Sequence, residues 1–259
     1  MFPIRDDIPA RRTPVVNYAI LLATSLAFLA QLTTPEDAPS LVERYGMIPL
    51  RLTDPDAPVL VPETRLYQTA RGVVEETTRR PAADAAVPAN WTLLTCVFLH
   101  GGWLHFLGNM WFLWIFGDNV EDRFGRPGYA GLYLGCGVLA SLSHLLTNPA
   151  SPVPTIGASG AIAGVMGAYL LSYPHARVLS LIPLGFFITT FVVPAPVFLG
   201  VWFLIQLWQG AAVTDVATAG VAWWAHIGGF LVGAAATYAG AKSGLLEPPT
   251  RRRVLTIRR

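Results

Sequence analysis

The apolar residues of this chain are gathered into runs, and the runs restrict its fold more than any other feature. Pro14 to Leu32, Pro127 to Leu146, Ala158 to Tyr173, Val178 to Gly210 and Ala222 to Ala241 are each carried with little polar interruption. About 20 apolar residues in a helix cross a hydrocarbon core. A soluble domain has no room for so many such segments. Only 13% of the residues are charged and 53% are hydrophobic, against about a quarter charged in an ordinary soluble domain. Lipid offers the backbone no hydrogen bonds, so the runs are expected to be helices. The reading is an all-α polytopic membrane protein with one helical domain.

Boundaries follow from the breaks. Residues 1–13 are polar and hold Arg5, Arg11 and Arg12, and a first span of about 14–32 follows, too long for a signal-peptide core and without a convincing cleavage site. Residues 33–102 form a long extramembrane loop, rich in Pro, Asp, Glu and Arg and expected to carry short helices. Its end, Trp91 to Leu99, is too short to cross and reads as an interfacial piece with Trp91 at headgroup level. Further spans are expected at about 103–121, 127–146, 158–173, 196–209 and 222–241. The fourth is short, which leaves its head below the membrane surface in a watered or protein-lined place. Val178 to Val193, broken by Pro183, reads as an interfacial or re-entrant piece.

Charge sets the expected topology. Basic residues cluster at the ends, with Lys242, Arg251, Arg252, Arg253, Arg258 and Arg259 at or near the tail 244–259. Both termini are then cytoplasmic, the count of spans is even, and six spans also place Arg123, Arg126 and Arg177 inside. The distribution points to topology and not to nucleic acid. Cys96 and Cys136 show no CxxC spacing and read as packing residues.

Candidate chemistry begins at Gly157-Ala158-Ser159-Gly160, at the head of the fourth span. A serine there is ordinarily a helix cap. His226, within Trp223-Trp224-Ala225-His226-Ile227-Gly228-Gly229 in the last span, gives it a possible partner. An ionisable residue inside a span is costly and is by default a functional hypothesis, although a histidine bonded to a backbone carbonyl is the plainer alternative. Gly229 and Gly233 share its helical face, and Gly160, Gly164 and Gly167 with Ala163 strip one side of the fourth span. Such faces let helices approach closely, which is usually packing alone. Here the approach puts the Ser159 hydroxyl within reach of the His226 ring.

His105 and Asn109 lie four apart in the second span, offset by about 40°. Two neutral donors on one face can hold an oxyanion, or simply bind a neighbouring helix. His100 lies about 140° round from His105, and no HExxH occurs, so metal-dependent proteolysis lacks its ligands and its base. The last four spans hold no Asp or Glu, and Asp215 falls in the loop before the sixth, so the residues favour a Ser-His dyad over a triad.

These pieces resemble the rhomboid family of intramembrane serine proteases. The resemblance rests on His105-Phe-Leu-Gly-Asn109, Glu121 to Gly125, Gly157-Ala158-Ser159-Gly160 and Ala225-His226-Ile227-Gly228-Gly229 with Gly233, in that order, and covers about Trp91 to Ala241. It implies a six-span rhomboid fold in the bacterial plasma membrane, with the site opening outward. By resemblance Ser159 is the nucleophile and His226 the base, and His105, Asn109 and the Ser159 amide form the oxyanion hole. Single-span membrane proteins are the implied substrates, with neither cofactor nor metal. Thr92 stands where rhomboids often carry arginine, and Ala163 where many bacterial members have a tyrosine stacked on the histidine, so something else must orient His226. A catalytically silent rhomboid-like protein that binds membrane helices is the alternative, and a small channel or transporter a more distant one.

Overall fold

A computed structural model describes residues 1–35, 37–69, 72–184, 187–212 and 221–246. Asp215 and the arginines of the tail lie outside these residues. The chain is mostly helical. Its main helices are α1 (Val15–Thr33), α5 (Trp103–Thr147), α6 (Ser159–Ser172), α7 (Ala195–Ala212) and α8 (Trp223–Lys242), with short α2 (Leu41–Tyr45), α3 (Pro49–Thr53) and α4 (Thr92–Thr95) before α5. By length and composition α1, α5 and α7 are long and apolar enough to cross a membrane.

The second and third expected spans form one helical stretch of 45 residues, broken at Gly125 (φ 70°, ψ 165°). A straight helix of that length would run about 68 Å, more than twice a hydrocarbon core of about 30 Å. Gly125 is where the chain turns, with a positive φ that glycine adopts without penalty, and Pro127 follows at the start of the next helical segment.

α6 is the centre of the bundle. Every residue from Gly160 to Tyr169 is buried, as expected of a helix that is apolar on all sides. It packs between α5 and α8. α1 instead exposes Tyr18, Leu22, Leu26, Leu29 and Leu32 and buries Asn17, Ile20, Thr24 and Phe28. Its N-terminus has no cap of its own; the Glu121 carboxylate accepts the Val16 and Asn17 amides at 3.1 and 2.7 Å. Asn17 then bonds Leu113 O and receives the Tyr129 hydroxyl at 2.8 Å, so α1 is pinned to both segments of α5.

Two β structures depart from the all-α expectation. The piece Val178 to Val193 is not helical: β4 (Arg177–Leu184) and β5 (Phe187–Pro194) form an antiparallel hairpin. The polar N-terminal segment supplies a third strand, β1 (Phe2–Asp6), paired antiparallel on β4 from Phe2↔Leu181 to Asp6↔Val178. β5 runs directly into α7, and Ala195 N donates to Ala176 O at 2.8 Å to close the junction.

The long first loop carries short helices, as expected, and also a hairpin of β2 (Leu60–Thr69) and β3 (Gly72–Pro81). Glu43 of α2 bonds the Arg80 guanidinium at 2.6 and 3.1 Å and accepts the Ala83 amide at 2.7 Å. Burial alone would raise this carboxyl, but the Arg80 and Ala83 bonds outweigh it and hold the carboxyl below its usual range. The same loop braces the chain before α6. Met47 and Thr155 form a β-bridge, and Thr53 Oγ1 donates to Pro149 O at 2.7 Å.

Candidate active site

The site forms where the N-termini of α6 and α8 meet the first turns of α5. Ser159 opens α6, but Ala158 holds the cap position and no side chain caps the helix there. The Ser159 hydroxyl is therefore free of the capping role. It sits instead 2.7 Å from His226 Nε2. The two residues lie 67 apart in sequence and are joined by the contact of α6 with α8.

That contact is backbone on backbone. A Cβ placed on Gly229 would lie 2.0 Å from Gly160 O, and one on Gly233 would lie 1.8 Å from Gly164 O. Neither distance can be accommodated by a side-chain shift, because the obstacle is main chain. Gly167 meets the carbonyl of Phe230 in the same way. The small-residue faces read from the sequence are the seam that brings Ser159 to His226.

Gly157 has a φ of 124°, which favours glycine. A Cβ there would fall 2.7 Å from His105 Nε2 and 3.6 Å from Ser159 Oγ, so the His105 ring lies over the peptide beside the serine. His105 Nδ1 accepts the Gly101 N–H at 3.3 Å. A neutral imidazole carries one proton, so Nε2 is the donor and faces the site. Gln31 of α1 steadies the preceding residue, donating to His100 O at 2.9 Å and accepting its N–H at 3.0 Å.

Asn109 is buried and donates one amide hydrogen to His105 O at 3.0 Å. Its second N–H is left for the cavity that it lines with His105, Ser159 and His226, a space of about 300 Å³ that Phe112, Met166 and Trp202 also border. The cavity walls are largely apolar, with the polar groups converging at one end, as in ligand sites generally. His100 meets the His105 ring edge-on at 5.0 Å. Among the described residues no group of three or more His, Cys, Asp or Glu side chains is placed to hold a metal ion.

Ala163 is fully buried in α6, and two tryptophans border the His226 ring. Trp223 stands edge-on at 6.0 Å, and Trp202 of α7 lies tilted by 34° at 6.0 Å. The sequence reading missed Gln206, also on α7, whose Oε1 lies 2.8 Å from His226 Nδ1. An uncharged polar residue inside the apolar run from Val197 to Trp208 was the available signal. Trp91 is 57% exposed on its short helical piece, while Thr92 is buried and turns back on Ala89 O at 2.5 Å. Thr92 thus serves its own backbone and offers no outward basic contact.

Residues 88–243 match the profile of the Rhomboid domain. Among known proteins, Rhomboid protein 1, mitochondrial, of Saccharomyces cerevisiae is 30% identical over 151 residues, covering 57% of this chain and 41% of that protein. Rhomboid protease GluP of Bacillus subtilis is 33% identical over 143 residues, covering 55% of this chain and 24% of GluP. RHOMBOID-like protein 5 of Arabidopsis thaliana is 40% identical over 80 residues, 31% of this chain and 26% of that protein. The chain thus spans less than half the length of each of these relatives.

Proposed function

The chain belongs to the rhomboid family, and from that premise we propose that it is an intramembrane serine endopeptidase, with Ser159 as nucleophile and His226 as general base. It is an integral membrane protein of a family that acts on membrane proteins in the bilayer. The observation that carries the proposal is the 2.7 Å contact of Ser159 Oγ with His226 Nε2 inside a cavity that His105 and Asn109 also line.

The reaction follows from the placement. As Ser159 Oγ attacks the scissile carbonyl carbon, its proton passes to His226 Nε2. Negative charge grows on the carbonyl oxygen. His105 Nε2–H, the free Asn109 N–H and the Ser159 amide are the donors for it. The Ser159 amide belongs to the first turn of α6, whose N–H groups have no partner within the helix, and the positive end of the helix dipole adds to the field. Collapse of the intermediate breaks the C–N bond, and His226 returns its proton to the leaving amine. Water then attacks the acyl-serine, again with His226 as base.

A single-span membrane protein is the proposed substrate, cut within or near its span after local unwinding. Six crossings are proposed, with α5 supplying two and the site opening to the outer side of a bacterial plasma membrane. Arg5, Arg11, Arg12, Arg123, Arg126 and Arg177 would then lie on the cytoplasmic side. Arg11 N bonds Asp122 at 2.5 Å and Arg177 N bonds Asp7 at 2.7 Å, which supports one shared side for these segments.

The test is cleavage of a single-span reporter by the purified chain in lipid nanodiscs. Wild type should cut, and Ser159→Ala and His226→Ala should each lose at least about a thousandfold. Cleavage by Ser159→Ala at the wild-type rate would remove the mechanism.

A further inference from the structure

We propose that Gln206 is the positioning residue for His226: its amide oxygen holds the imidazole in the tautomer that leaves Nε2 bare to accept the Ser159 proton. The proposal rests on reading Ser159 and His226 as nucleophile and base.

The argument is one of hydrogen-bond direction. The two ends of a glutamine amide have the same shape, so its orientation is set by its partners. Gln206 Nε2 lies 3.2 Å from Trp202 O, the carbonyl four residues back on α7. A carbonyl only accepts, so the NH₂ end faces it and Oε1 is left toward His226, at 2.8 Å from Nδ1. That oxygen also only accepts, and Nδ1 must carry the proton. A neutral imidazole has one N–H. Nε2 is therefore the lone-pair nitrogen, and at 2.7 Å it can only receive the Ser159 hydroxyl. Each link forces the next, from the Trp202 carbonyl to the serine.

The neighbouring rings do a different task. Trp202 and Trp223 border the imidazole at 6.0 Å and limit its tilt, but an aromatic wall does not choose which nitrogen is protonated. Gln206 does, and it is nearly enclosed at 5% exposure, where a misdirected amide would be costly. A serine-protease aspartate fixes the tautomer and adds a negative charge. An amide supplies the first and not the second. When the Oγ proton arrives on Nε2, the Nδ1–H···Oε1 bond persists without rearrangement and grows stronger, because its donor becomes charged. No second proton moves. The arrangement also ties the base on α8 to α7, a wall of the substrate cavity.

The test uses the full chain in lipid nanodiscs, with reporter cleavage followed in wild type, Gln206→Leu and Gln206→Glu, and with ¹⁵N-histidine spectra of wild type. Leucine keeps the bulk but has no acceptor, so kcat should fall on the order of tenfold to a hundredfold with KM within about twofold. Glutamate keeps an acceptor oxygen and should recover most of that loss. The wild-type spectrum should show His226 protonated at Nδ1, identified as the signal missing in His226→Ala. An Nε2-protonated wild-type ring, an unchanged kcat in Gln206→Leu, or an equal loss in the leucine and glutamate variants would each overturn the proposal. The spectrum decides even if Gln206→Leu fails to fold. A wild-type rate in Ser159→Ala sinks the protease reading itself; an inactive Ser159→Ala beside a fully active Gln206→Leu sinks only the role of Gln206.

Discussion

At the scale of single residues, the site depends on one atom that is absent and one donor that is present. Gly157 lacks the Cβ that would meet His105 Nε2 at 2.7 Å, and its φ of 124° excludes most other residues. Gly157→Ala should leave the bundle folded by circular dichroism yet lower kcat by about a hundredfold or more, because the His105 ring must move off the site. On the proposed mechanism, Asn109 supplies an N–H toward charge that exists only in the transition state. Asn109→Ala should therefore reduce kcat by about tenfold or more with little change in KM; equal kinetics in the reporter assay would leave it a packing residue. The residues on which these expectations rest could be picked out by type and order alone. Ser159, His226, His105 and Asn109 are unusual in apolar spans, and the glycines around them predict the approach that the structure contains. Gln206 was not legible in that way. Its partner is set by the rotation of α7 against α8, which no spacing within one segment records.

The elements repeat that contrast. Helices with a strong local signal lie close to their expected bounds, as α1 at Val15–Thr33 and α8 at Trp223–Lys242 illustrate. The hairpin of β4 and β5 falls on the stretch Val178 to Val193, which the sequence marks as an interfacial or re-entrant piece because its apolar run resembles a broken span. β4 and β5 pair with each other, and β1 adds a third strand to β4, its Phe2 meeting Leu181, a residue remote in sequence. Local patterning cannot see such a partner. The seam of α6 with α8 was visible because it is made of composition, small residues at helical spacing. It is also the place where an added side chain does most harm. Gly233→Val would drive its Cβ to 1.8 Å from Gly164 O. Prying the helices apart should lower stability by about 1–3 kcal/mol or more and abolish cleavage, since Ser159 and His226 are on opposite sides of the seam. Thermal unfolding in nanodiscs measures the first effect, and a variant as stable and as active as wild type would show that the seam is looser than its geometry implies.

On the scale of the whole molecule, α6 couples the site to the opposite end of the bundle. Ser159 opens the helix, and near its other end Tyr169 donates to Asp6 Oδ2 of β1 at 2.5 Å. Asn119 of α5 donates to the same oxygen at 2.9 Å. Burial raises the Asp6 carboxyl from 3.8 to about 7; the Tyr169 bond opposes this and the nearby Asp118 charge adds to it. The folded value lies above the unfolded one, so docking of β1 is linked to proton uptake. Its contribution is fully present below about pH 4 and is lost as pH rises through about 7. A shift of this size corresponds to a few kcal/mol, at about 1.4 kcal/mol per unit. Because β1 pairs with β4, and β5 leads straight into α7, loosening the strand also loosens the footing of the helix that carries Gln206. Hydrogen exchange at residues 2–6, corrected for intrinsic rates, should show stronger protection at pH 6 than at pH 8. Asp6→Asn cannot ionise and retains an acceptor, so its protection should be nearly level across that range. Equal protection of wild type at both values would mean that the carboxyl is solvated in the docked strand and that this end of the bundle does not respond to pH.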